Sequence, residues 1–175
     1  FKVSISVGAS VPDALPQGYL LGDTVNGTIA ADYYYGGPVA DAEVELVVYQ
    51  KPFFHWWRPI REYGWFFPGA SRGIVREYPV RGEVMKRESL RLGLTGSVGF
   101  SFETPSCAEQ DYEYRIEARV TDASRREIVS SQTIRVTNRS YFVYLEPEHR
   151  VYQPGDEVEI GIRTMDANDR PIASE

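Results

Sequence analysis

From Tyr112 to Val120 the chain alternates without a fault. Tyr112, Tyr114, Ile116, Ala118 and Val120 are apolar or aromatic, and the four residues between them are charged. Successive side chains of a strand point to opposite faces, so this stretch predicts a strand with one buried and one wetted face. The same period-two logic marks Val3/Ile5/Val7, Val25/Ile29, Val44/Leu46/Val48, Val98/Phe100/Phe102 and Ile134/Val136. Between these runs lie turn-forming clusters: Tyr35-Gly36-Gly37-Pro38, Thr95-Gly96-Ser97 and Thr121-Asp122-Ala123-Ser124. Nowhere does an apolar stripe of helical period persist over three turns. The pattern predicts an all-β protein, an antiparallel β-sandwich of the immunoglobulin-like kind with about seven strands.

An internal repeat adds a second level of order. Residues 19–40 align without a gap onto 152–173, a constant offset of 133, with Tyr19/Tyr152, Gly22/Gly155, Asp23/Asp156, Val25/Val158, Ile29/Ile162, Pro38/Pro171 and Ala40/Ala173 identical. Its physical content is a Gly-Asp turn, an alternating strand, and a polar turn closed by proline. The first copy runs on into a full set of strands ending near Thr137. The expected organisation is therefore one complete domain over 1–138 and the opening strands of a second, truncated one over 139–175. Strands of an incomplete domain carry unpaired edges, so those at 141–145 and 156–164 are expected to pair with each other, with the complete domain, or with a second copy of the chain as a strand-edge dimer.

One segment departs from a minimal sandwich. Residues 51–93 hold all three tryptophans together with nine Lys or Arg against four Glu, in a chain of net charge −6. A connection this long contains its own structure or a function, and one further strand is expected within 84–92. Phe54, Trp56, Trp57, Arg58, Trp65 and Phe66 are the candidate interface residues. They have two readings. The rings fill a second small core over an open face of the sandwich, or they form an exposed anchor for a neighbouring domain, a protein partner, a glycan strand or an anionic surface.

The net negative charge argues against general nucleic-acid binding. The longest apolar runs, such as Leu46–Tyr49 and Tyr141–Leu145, are too short to cross a bilayer, so no direct membrane insertion is expected. A start at Phe1, with no leader-like segment, suggests a piece of something longer. The single cysteine cannot form an intrachain disulfide and leaves the redox compartment open.

Catalytic constellations are thin. His55 and His149 are far apart and lack partners at metal-ligand spacing, and His55 beside Trp56 reads as part of an aromatic cluster. No serine sits in a nucleophile elbow and no glycine-rich phosphate loop occurs. Asp166, Asn168 and Asp169 share spacing with part of a calcium loop but lack its remaining ligands, which favours a polar turn. No enzyme activity, metal or cofactor is expected.

Three stretches carry a family resemblance. Val25–Tyr49, Tyr114–Val136 and Tyr152–Ala173 resemble, in the right order, strands of the macroglobulin (MG) domains of the alpha-2-macroglobulin family. The first resembles the third such domain, the last the opening of the next, and the combination is most similar to the bacterial members. The resemblance implies a non-catalytic structural module of a protease-trapping, protease-inhibitor shell. Its partners would be neighbouring MG domains and, through the whole parent protein, proteases. It also implies a periplasmic or other extracytoplasmic envelope location, in keeping with a parent that is a membrane-anchored lipoprotein. The competing class is a carbohydrate- or protein-binding adhesin module of a surface protein, since Trp-rich loops often stack on sugars.

The family also gives Cys107-Ala108-Glu109-Gln110 its interest. The spelling matches the core of the family's internal thioester, Gly-Cys-x-Glu-Gln, with Ser106 in place of the glycine. The family's thioester sits in a separate helical domain, shielded by aromatic residues. Here Thr104-Pro105 precedes the motif and an alternating strand follows Gln110, which places it in a wet inter-strand loop. Cys107 is expected to be an ordinary thiol, and Cys107 with Gln110 a decoy of the motif.

Overall fold

The computed structural model describes residues 1–8, 19–55, 82–106, 110–149 and 151–172. Among the described residues ten strands run in chain order: β1 Lys2–Val7, β2 Tyr19–Leu20, β3 Thr24–Asp32, β4 Glu43–Phe53, β5 Glu83–Arg91, β6 Ser97–Glu103, β7 Asp111–Thr121, β8 Glu127–Thr137, β9 Phe142–Pro147 and β10 Ile160–Met165. No helix occurs among the described residues. The chain divides into two compact units, Phe1–Phe54 with Arg81–Ser140, and His55–Val80 with Tyr141–Glu175.

The first unit is a sandwich of a three-stranded sheet, β1-β3-β6, and a five-stranded sheet, β2-β8-β7-β4-β5. Every pairing is antiparallel except the two-residue β2, which lies parallel to β8 with Tyr19 beside Val136. The alternation read along β7 is the observed burial: Tyr114, Ile116, Ala118 and Val120 are sealed from solvent while Arg115 and Arg119 are exposed. They share one core with Val44, Leu46 and Val48 of β4 and with Val25, Ile29 and Ala31 of β3 on the facing sheet. Removing one such side chain leaves a cavity that neighbours fill only partly, so Ile116→Ala costs about 2–5 kcal/mol. The strand expected within 84–92 is β5, the edge of the five-stranded sheet, which slips register against β4 between Val48 and Tyr49.

Lys86 on β5 donates from Nζ to the Ser101 carbonyl of β6 at 2.7 Å and pairs with Glu88 at 2.8 Å. A lysine over an edge carbonyl is one of the devices that blunt a sheet edge against foreign strands.

The second unit contains the β9–β10 antiparallel pair and His55 among its described residues. Its backbone repeats that of the first unit. Gly22 and Gly155 both adopt positive φ, +93° and +100°. Asp23 and Asp156 each accept a bond on Oδ2 from the backbone N–H three residues earlier, Leu20 at 2.8 Å and Gln153 at 2.6 Å. The bridge Asp32–Pro38 recurs as Met165–Pro171, and Val39 N–H donating to Ala31 O recurs as Ile172 N–H donating to Thr164 O. The repeat is thus a repeat of turn chemistry as well as of letters.

The polar turn inside the repeat occurs in a third place. Tyr33, Asp122 and Asp166 each open a turn whose first N–H donates to the carbonyl four residues on, and whose fourth residue is left-handed: Gly36, Arg125 and Asp169. At Asp122 and Asp166 the buried carboxylate carries the turn. Asp122 Oδ1 accepts from Ser124 and Arg126 N–H at 2.8 and 2.9 Å, and Asp166 Oδ1 accepts from Asn168 and Arg170 N–H at 2.8 and 2.9 Å. The Asp166/Asn168/Asp169 cluster is therefore a carboxylate-capped turn.

Candidate functional site

The approach to Cys107 is fixed by Thr104 at the end of β6. Its Oγ1 accepts the Gly22 amide at 2.9 Å and donates to the Asp23 carbonyl at 2.9 Å, and its own N–H donates to the same carbonyl at 3.1 Å. A Cβ at position 22 would stand 3.4 Å from the Ser106 Cβ, so the β2–β3 turn and the 104–106 segment lie against one another. Cys107 itself, with Ala108 and Glu109, lies outside the described residues.

Gln110, the other half of the motif, is described. Its Nε2 donates to the carbonyls of Phe53 and Asp111, both at 3.1 Å. Thioester formation attaches sulfur to the glutamine side-chain carbonyl carbon and expels that nitrogen as ammonia. The nitrogen that would leave is here the atom tying the loop to the end of β4, so the reaction would forfeit both bonds.

Of the candidate interface residues, Phe54 is strongly exposed. Trp56, Trp57, Arg58, Trp65 and Phe66 lie outside the described residues. Just before Phe54, Phe53 closes β4 with the Arg135 guanidinium 4.8 Å above its ring, a stacking that ties β4 to β8 across β7.

His55 sits in the second unit with its side chain almost fully buried. The ring stacks on Phe142 at 4.3 Å, Nδ1 bonds the Tyr144 hydroxyl, and Nε2 lies 3.1 Å from Asp169 Oδ1. A carboxylate only accepts, so the Nε2 facing Asp169 is a donor, while Nδ1 pairs with the Tyr144 hydroxyl. The aromatic surroundings agree with the sequence expectation. The Tyr144 and Asp169 partners were not legible, because they lie 89 and 114 residues away.

Electrostatics elsewhere are local. Lys51 meets Glu113 at 2.6 Å, Arg135 approaches the same Glu113 at 3.7 Å, and Glu45 lies between Arg87 at 3.5 Å and Arg119 at 3.8 Å. These pairs span strands of the five-stranded sheet and leave its outer face internally compensated. Among the described residues no group of three His, Cys, Asp or Glu could hold a metal ion. Among the described residues the perturbed titrating groups are two tyrosines. Burial, helped by neighbouring Tyr112, pushes Tyr114 up to about 12, and burial with the Asp23 charge raises Tyr19. Neither hydroxyl has a hydrogen-bond partner among the described residues.

No family model matches the chain. The chain is 25% identical over 174 residues to the alpha-2-macroglobulin of Thermotoga maritima, a match covering 98% of this chain and 9% of that protein. The native conformation of Escherichia coli alpha-2-macroglobulin superposes with a TM-score of 0.56 at 14% identity, over 97% of this chain and 11% of that one. The Salmonella alpha-2-macroglobulin reacted with methylamine gives a TM-score of 0.54 at 14% identity, again over 97% of this chain and 11% of that one. The fold is that of a macroglobulin-type β-sandwich module. Along nearly its whole length the chain is similar to bacterial alpha-2-macroglobulins, and it spans about a tenth of their length.

Proposed function

We propose that the chain is a non-catalytic structural module of a bacterial alpha-2-macroglobulin-like protease trap. The observation that carries this reading is the relationship to the Thermotoga maritima protein over 98% of the chain. The fold agrees with it. On this reading 1–138 correspond to an MG3-like module, whose compact unit is Phe1–Phe54 with Arg81–Ser140, and 139–175 open a second one, as the repeated Gly-Asp and Pro-closed turns suggest. The work of such a module is mechanical. A sandwich whose buried apolar rows interlock moves as a rigid body, and its compensated outer face suits it to stand beside other modules. The parent's place is the periplasm or another extracytoplasmic part of the cell envelope.

Size-exclusion chromatography of the full-length parent mixed with trypsin tests the function. Trypsin travelling with the parent after cleavage is the expected result, and trypsin eluting free after the parent is cut would refute it. Fractionation of cells carrying the tagged parent tests the location, with recovery in the cytosol as the contrary result.

A further inference from the structure

The turn after β3 carries side chains that its geometry does not need. Position by position it has the backbone of the Asp122 and Asp166 turns: Tyr34 matches Ala123 and Ala167, Tyr35 matches Ser124 and Asn168, and Gly36 matches the left-handed Arg125 and Asp169. In those two turns a buried aspartate organises the loop, and small or polar residues follow it. Here a tyrosine stands in place of the aspartate, and the next two tyrosines face solvent, Tyr34 at 81% and Tyr35 at 84% exposure. Neither burial nor turn chemistry accounts for two such rings.

The rings are held in place. Tyr35 stacks on Tyr33 with centroids 5.1 Å apart and planes 13° apart, and Phe1 meets Tyr33 edge-on at 6.1 Å. Tyr33 packs on the sandwich core, so one face of Tyr35 is covered and the other is open. The β5–β6 turn braces the base of this tier. The Ala31 N–H donates to the Gly96 carbonyl at 2.9 Å, and a Cβ at position 96 would stand 2.7 Å from the Pro38 Cβ. Beside the rings, a Cβ at Gly36 or Gly37 would meet nothing within 4 Å, so a shelf of bare backbone adjoins Tyr35. Residues 33–40 carry no charge.

We infer that this turn is a binding platform for a neutral glycan of β-1,4-linked, gluco-configured pyranose rings. Such a ring has its hydroxyls equatorial, so its faces present only C–H groups, which are slightly positive and lie flat on the negative face of an aromatic ring. Tyr35 offers that face, and the tyrosine hydroxyls and open backbone beside it suit the sugar hydroxyls. The stack on Tyr33 means that little order is lost on binding. Size disfavours a protein partner. A stable protein interface buries about 800 Å² per side around a desolvated pocket, whereas two rings on one narrow turn match one or two sugar units. The platform is independent of the protease-trap reading.

The test is an NMR titration of the 175-residue chain with cellotetraose and, separately, with the N-acetylglucosamine tetramer, read at the Gly36 and Gly37 amides. Saturable shifts of both amides with at least one glycan are expected. Tyr35→Ser should weaken binding about tenfold or more, and Tyr35→Phe, which keeps the ring face, should stay within about threefold. Ser124 holds the equivalent position after β7, so Tyr35→Ser should melt within about 2 °C of the wild type. No saturable shift with either glycan at about 10 mM, which would fill most of a millimolar site, overturns the inference. So do shifts elsewhere that Tyr35→Ser leaves unchanged. So does a Tyr35→Ser chain that binds glycan as before while thermolysin cleaves the substituted full-length parent faster, since that assigns the turn to a protein contact. Trypsin capture by the unsubstituted parent is scored separately, so the platform and the trap can fail independently.

Discussion

The Thr104 hydroxyl accepts the Gly22 amide at 2.9 Å across 82 residues of sequence, and by this bond and its partner to Asp23 the β2–β3 turn is held to the end of β6. Thr104 is nearly sealed from solvent, so replacing it by the near-isosteric valine leaves the Gly22 N–H without its acceptor where water is scarce, while the Asp23 carbonyl keeps only the backbone N–H of residue 104. Thr104→Val therefore costs about 1–3 kcal/mol, and Thr104→Ser, which keeps the hydroxyl, costs less. Urea unfolding of the two variants checks the difference, and equal midpoints would remove the hydroxyl from the account.

Tyr114 presents the reverse case. Its hydroxyl is buried without a partner, so Tyr114→Phe should be neutral or stabilising by up to about 1 kcal/mol. The pH dependence follows from the same burial. The folded-state pKa is about 12 against an ordinary value of 10, so the folded chain holds this proton more tightly than the unfolded chain does. That contribution is complete below pH 10 and is lost as pH rises toward 12, by about 2–3 kcal/mol at most. Denaturation midpoints between pH 9 and pH 12 should fall more steeply for the wild type than for Tyr114→Phe.

The turn after β7 sets two effects against each other. Asp122 Oδ1 accepts two backbone bonds, so Asp122→Ala should cost about 1–3 kcal/mol. Arg125 pays for left-handed geometry at φ +59°, a conformation that glycine adopts without steric cost. Arg125→Gly should therefore stabilise by a few tenths to about 1 kcal/mol, the rest being returned as unfolded-state entropy. Thermal melts of the two variants should move in opposite directions.

Cys107 is expected to react as an ordinary thiol, one equivalent per chain, with a thiol-specific reagent. The intact mass should show no loss of ammonia, and methylamine should add nothing, because the Gln110 nitrogen that would be expelled is bonded to Phe53 and Asp111 carbonyls. A mass deficit of one ammonia, or a methylamine adduct at Gln110, would establish a thioester in this loop.

Much of the fold was legible because it depends on nearest-neighbour alternation. β7 could be read from Tyr112 to Val120, and the Gly-Asp turn from two letters that recur. Other features were not legible. The parallel pairing of β2 with β8 rests on two residues, too few to carry a pattern. The His55 contacts with Tyr144 and Asp169, and the hold of Thr104 on Gly22, join residues that only the folded chain brings together. The Asp122 and Asp166 turns were read as polar. That each is organised around a sealed carboxylate needed the burial, since a turn aspartate in sequence looks the same whether wet or dry. The candidate interface was the least accessible part of the chain, because aromatic and basic residues suit a small core and an exposed anchor equally well.

The most direct test of the proposed function is the substrate-size preference of a protease after it meets the full-length parent. Trypsin held inside a shell should still cleave a small chromogenic peptide at close to its free rate, while its activity on a protein-sized substrate falls at least tenfold. Equal retention of both activities after the parent has been cut would contradict a trap, and with it the role proposed here for this module.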